Sequence, residues 1–146
     1  ITPFGVPHDS SDNVGYSIEY EGVVFTLLTD VGHITEEMKA IIRNTDYLVI
    51  EANYDLQMLQ NGPYPRHLQE RIQCGTGHLS NAQCGAALVE NYTERLKHIW
   101  LCHLSEENNH PELARKSIEQ ALSDAGIKVK LDVLRRKQPT GVFELV

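Results

Sequence analysis

Ile99–Glu112 reads IWLCHLSEENNHPE. An apolar run stops at His103, and Ser105, Glu106, Glu107, Asn108 and Asn109 follow before Pro111. A short apolar run bounded by polar residues is the pattern of a buried strand. Two other stretches share it. VVFTLLTDVG (Val23–Gly32) runs into Asp30, and YLVIEANYD (Tyr47–Asp55) runs into Glu51, Asn53 and Asp55. In layered α/β folds, ligands gather outside strand ends. Three such ends carrying an imidazole and carboxylates point to a metal site.

The remaining sequence supports that layering. Tyr16, Ile18 and Tyr20 alternate with polar residues, Glu21-Gly22 makes a turn, and Val23–Thr29 form a more buried strand, so a β-hairpin is expected. Thr35 caps a helix with Glu36 and Glu37 in its first turn and Met38, Ile41 and Ile42 on its apolar side. Gly62, Pro63 and Pro65 mark a turn, and Pro65 opens a short helix through Ile72. Ser80 with Gln83 forms a capping box, after which Cys84, Leu88, Tyr92 and Leu96 recur at helical spacing. Pro111 starts a further helix with Ala114, Ile118, Ala121, Leu122 and Ala125 as its stripe, ended by Gly126. IKVKLDVL and GVFELV read as strands. The expected class is α/β, with helices flanking a mixed sheet in one domain over residues 1–146.

Composition narrows the function classes. The chain has 146 residues, enough for one core, with 41% apolar and 23% charged residues. No apolar run approaches the ~20 residues that span a membrane. The net charge of −7 opposes nonspecific attraction to nucleic acid, yet bound cations reverse such a field locally. Three cysteines without CxxC spacing suit a reduced, cytoplasmic setting. The first residue is Ile1 rather than Met.

His8, in FGVPHDSSD ahead of the hairpin, joins Asp30 and His103 as a candidate ligand. Two imidazoles and a carboxylate suit Zn²⁺, Mn²⁺ or non-haem iron. His78 and Ser80 lie in GHLSN (Gly77–Asn81). They either meet a phosphate, with His78 moving a proton near neutral pH, or simply start a helix. Asn108 and Asn109 either orient His103 or a substrate, or order the loop before Pro111. Glu51 or Asp55 is either an acceptor for a ligand imidazole or a turn former. His67, His98 and His110 read as surface residues, and Cys102 alternates to the opposite strand face from His103. The basic stretch KVKLDVLRRK (Lys128–Lys137) either meets nucleic acid or, with Lys128 and Lys130 on one strand face, protects a sheet edge.

The words PHDSSDNVGYSI, FTLLTDVG, YLVIEANYDLQML, YPRHLQERI, GHLSN and LCHLSEENNHPELA together resemble the metallo-β-lactamase superfamily, in particular its YycJ (WalJ) family. The resemblance covers nearly all of residues 7–114. It implies the C-terminal part of an αββα sandwich. It implies metal ligation by His8, a bridging role for Asp30, and ligation of a second metal by His103. Two divalent ions, zinc or manganese, and a metal-activated hydroxide acting on phosphodiesters follow from it, with DNA exonuclease action expected. GHLSN resembles a substrate-side loop; the candidate catalytic residues are Asp30 and His78, and the candidate substrate contacts are His78, Ser80 and Asn108. The superfamily's HxHxDH motif is absent. The resemblance therefore implies a missing N-terminal part, an incomplete site and a weak or inactive chain when alone. Rival readings are a thioester or lactam hydrolase on the same fold, a non-catalytic piece that associates with itself or its other half, and a receiver-like module holding Mg²⁺ at Asp30 and Glu51.

Overall fold

A computed structural model describes residues 1–146. Its strands are β1 (Thr2–Gly5), β2 (Val14–Tyr20), β3 (Val23–Leu28), β4 (Tyr47–Glu51), β5 (His98–Cys102) and β6 (Lys130–Val133). Its helices are α1 (Glu36–Arg43), α2 (Leu56–Asn61), α3 (Arg66–Gln73), α4 (Asn81–Asn91) and α5 (Pro111–Asp124). The strands lie side by side in chain order in one sheet. β1, β2 and β3 are antiparallel, and β3 to β6 are parallel. This is the mixed sheet with flanking helices that the sequence calls for.

The order explains where the helices go. Three successive crossovers between parallel strands all step the same way across the sheet. Crossovers of this kind are right-handed, so each one deposits its helix on the same face. The main core forms there: Leu28, Leu48, Ile50, Ile99 and Leu101 from the strands meet Met38, Ile42, Cys84, Leu88, Ile118 and Leu122 from α1, α4 and α5. Truncating one of these leucines or isoleucines to alanine is expected to cost about 2–5 kcal/mol.

The opposite face carries Tyr47, Val49, Trp100 and Cys102. No helix covers it. The C-terminal tail does so in part: Phe143 meets the His98 and Trp100 rings edge-on, and the Tyr47 hydroxyl donates to the Val146 carbonyl at 2.7 Å. GVFELV is therefore not the strand its pattern predicts. β6 is the last strand of the sheet, and the tail turns back over its apolar face instead of pairing with its edge. Lys130 begins β6, whose outer edge is unpaired, as edge protection requires.

Four other expectations change. β1 and α2 form without having been read from the sequence, β1 by pairing with β2 and α2 under an Asp55 cap. α4 stops at Asn91, so Leu96 reaches the core from a turn, not from the helix. His98 is buried, not on the surface. It stacks on Trp100 at 3.9 Å and pairs with Asp132 at 2.7 Å, and burial pushes its pKa down. No helix is long and apolar enough to cross a membrane.

Candidate metal centre

β3, β4 and β5 are parallel neighbours, so their C-terminal ends emerge together. Asp30 follows β3, Glu51 ends β4, and His103 follows β5. Leu28 is in register with Ile50, and Glu51 with Cys102, so the three side chains sit in one row along the sheet edge. Asp30 and His103 both have left-handed backbones, each with φ 55°. Non-glycine residues seldom adopt this region, and where they do the surroundings must hold them. The Asp30 N–H donates to Glu51 at 2.9 Å, and the Asn53 amide donates to the His103 carbonyl at 2.7 Å.

Glu51 organises the centre from below. It is fully buried at the end of an otherwise apolar strand. Its two carboxylate oxygens accept from His103 Nδ1 at 2.6 Å, His78 Nδ1 at 3.1 Å, the Leu79 N–H at 2.9 Å and the Asp30 N–H. Burial alone would push this carboxyl upward, but the hydrogen bonds from His103 and His78 outweigh it and hold the pKa at about 2. The same hydrogen bond raises the pKa of His103. Burial pushes the neighbouring Cys102 thiol up to about 12, so it stays protonated and apolar.

His8 reaches the centre from the loop after β1. Its Nδ1 donates to the Gly77 carbonyl at 2.9 Å, which turns Nε2 toward Asp30 Oδ1 at 3.8 Å. Gly77 must be glycine for this: a Cβ there would collide with the Ile72 carbonyl. The Gly32 N–H donates to the Pro7 carbonyl at 2.7 Å and ties the His8 loop to the Asp30 loop. His78 stands between the two other imidazoles, its ring 5.0 Å from that of His8 and 5.3 Å from that of His103.

The three residues expected as ligands, His8, Asp30 and His103, are thus brought together. His103 Nδ1 lies 3.5 Å from Asp30 Oδ1. Two atoms on one cation, each roughly 2.1 Å from it, lie no more than about 4.2 Å apart. The Asp30 Oδ1 contact with His8 Nε2, at 3.8 Å, satisfies that limit. Asp30, Glu51, His78 and His103 also offer ligand atoms all within 4.8 Å of one another. A buried carboxylate that takes the His103 Nδ1 proton and leaves its Nε2 free is the usual support for a metal-binding histidine. The donor set fits a divalent metal.

Ser80 and Asn108 are placed differently. Ser80 caps α4, and its hydroxyl accepts from the Gln83 N–H at 3.1 Å. The Asn108 side chain is buried beside Gly62 with neither polar atom paired, away from the cleft that His8, His78 and His103 line. Its neighbour Asn109 orders the loop, donating to Asn81 and to the Ala52 carbonyl. Asp55 caps α2. The sequence clue to Glu51 was a charge closing an apolar strand. Asn53 was marked only by its place after the same strand, and nothing local pointed to the Gly77 carbonyl, because it acts across distant loops.

Comparison with known proteins agrees with this fold. The profile of the β-lactamase superfamily domain matches residues 1–99. The chain is 36% identical over 129 residues to the exodeoxyribonuclease YycJ of Bacillus anthracis, covering 88% of this chain and 49% of that protein. It is 39% identical over 132 residues to the exodeoxyribonuclease WalJ of Streptococcus pneumoniae serotype 2, covering 90% and 49% respectively. The chain therefore spans about half the length of the curated relatives it matches. Among solved structures, Zn²⁺-bound PqqB from Methylobacterium extorquens shares the fold with a TM-score of 0.58 and 21% identity, over 91% of this chain and 44% of that one. The chain belongs to the metallo-β-lactamase-fold superfamily, in its YycJ/WalJ-like family.

Proposed function

We propose that this chain carries the His8, Asp30 and His103 share of a two-metal phosphodiesterase, and that the whole protein acts as a DNA exonuclease in the cytoplasm. The observation that carries the reading is the convergence of His8 and His103 on Asp30, with the Nδ1 atoms of both imidazoles engaged elsewhere. Family membership and the names of the similar proteins support the choice of DNA. The absence of a helix able to cross a membrane is compatible with it.

Two divalent cations, zinc or manganese, would activate a shared water and neutralise charge at phosphorus when bound. The chain's own groups prepare that chemistry. The Gly77 carbonyl fixes the His8 tautomer, and Glu51 fixes that of His103. Asp30 is placed between them by its left-handed backbone and its N–H bond to Glu51. His78 holds Nδ1–H against Glu51, which leaves Nε2 available to pass a proton to a leaving oxygen. Ser80 follows directly in the chain, with its hydroxyl taken by the Gln83 N–H and the Asn81 N–H by the Tyr54 carbonyl, so the start of α4 holds the His78 loop in place.

The test is elemental analysis of the purified protein together with hydrolysis of DNA and of a thioester. His103→Ala should remove most bound metal and DNA hydrolysis together. His78→Ala should keep the metal and lower kcat roughly 10²–10⁴-fold. Unchanged metal content in His103→Ala would sink the ligand assignment, and faster thioester than DNA turnover would sink the substrate class.

A further inference from the structure

The cleft at the metal centre does not end there. A cavity of about 600 Å³ lined by His8, His78 and His103 adjoins a second of about 860 Å³. The two share Asn53, His103, Ser105, Glu106 and Arg136. The second runs along the segment after β6, where Leu134 extends the ladder with an N–H bond to the Leu101 carbonyl at 2.8 Å. Arg135, Arg136 and Lys137 follow and all line this cavity. In a chain of net charge −7, three consecutive cations opening on the cleft run against the overall field.

Arg136 is fixed close to the centre. Its Nη2 donates at 2.7 Å to the carbonyl of Leu104, the residue after His103. One carboxylate, Glu106, faces both neighbouring cations, at 3.9 Å from Arg136 and 3.4 Å from Lys137. All three side chains are more than half exposed. Ion pairs this wet hold weakly. A phosphodiester offers the same guanidinium a bidentate partner and can displace the carboxylate. No Phe, Tyr or Trp lines the second cavity, so recognition there works by charge and not by base stacking.

We propose that Arg136 and Lys137, with Arg135 beside them, form a track for the phosphate backbone of a DNA strand leading away from the metal centre, and that Glu106 occupies these cations until the strand displaces it. This rests on the phosphodiesterase reading. It assigns the strand's path, its sequence tolerance and a competing carboxylate.

The test is binding of a labelled single-stranded phosphorothioate oligonucleotide by fluorescence anisotropy across a salt series, alongside hydrolysis of the ordinary DNA strand. The Arg136→Ala/Lys137→Ala double variant should bind at least roughly fivefold more weakly at about 50 mM salt. Its salt slope should be shallower by about 0.7 for each cation removed. Glu106→Gln should bind about threefold more tightly, an opposite sign that misfolding cannot produce. Lys128→Ala, two residues before β6 and outside both cavities, should bind as wild type does. Wild-type affinity and slope in the double variant overturn the track, as does the absence of any binding by the wild-type protein. If DNA is hydrolysed while the double variant binds normally, the track alone fails. If affinity follows these signs while the wild-type protein never cleaves DNA, the hydrolase reading fails and the track stands.

Discussion

Asp30 and His103 leave β3 and β5 with the same left-handed backbone, φ 55° each, and flank Glu51 at the end of the strand between them. The turn aims a carboxylate and an imidazole back over the sheet edge toward one point, 3.5 Å apart at Asp30 Oδ1 and His103 Nδ1. An extended residue at either position would instead continue the strand direction.

That backbone makes a separable contribution to stability. Glycine relieves a left-handed position that alanine does not, by roughly 1–2 kcal/mol. His103→Gly is expected to be more stable than His103→Ala by about 1 kcal/mol in urea denaturation. Both should lack metal equally, because neither keeps the imidazole. Equal stability of the two variants would show that position 103 is not held in this conformation.

Glu51 supports four donors from a fully buried position. Removing one partner of a buried charged pair strands the others away from water. Glu51→Ala is expected to lose about 3–5 kcal/mol of stability. Glu51→Gln keeps the shape but turns an amide donor toward other donors, and should lower metal affinity about 10–100-fold. Denaturation and metal titration measure the two effects independently.

The Glu51–His103 pair also sets a pH window. Glu51 has a folded pKa lowered from 4.5 to about 2, so its contribution is present above about 4.5 and lost as pH falls toward 2. His103 has a raised pKa, so its contribution is complete below its usual 6.5 and lost as pH rises through the raised value. The metal-free protein should therefore exceed Glu51→Gln in Tm by most between about pH 4.5 and 6.5, with the gap narrowing on both sides. A gap independent of pH would contradict the pairing.

Gly77 tests the carbonyl that orients His8. Gly77→Ala forces a Cβ against the Ile72 carbonyl, so the loop must move and the 2.9 Å bond to His8 must lengthen or break. Metal affinity should fall roughly tenfold or more, because an imidazole without its second partner loses orientation. Isothermal titration with Zn²⁺ or Mn²⁺ reads the change, and unaltered affinity would remove Gly77 from the centre.

The local alphabet carried most of the layering. Alternation marked the β2–β3 hairpin, short apolar runs marked β4 and β5, and the caps Thr35 and Ser80 and the first-turn Pro111 marked α1, α4 and α5. Those signals are legible because they depend on neighbours within a few residues. His8, Asp30 and His103 were legible as residue types at segment ends. Their meeting was expected from the strand-end rule and the resemblance but not from local pattern, since the contacts span 22 and 73 positions. GVFELV had a strand's pattern, and His98 a surface residue's anonymity. Which became strand, cover or core depended on what stood opposite: a bare sheet face for the tail, and Trp100 and Asp132 for the imidazole. Pattern determines which faces are apolar and where helices begin. Only the packed sheet decides which strand ends share a cation, because that is a property of distances through space and not along the chain.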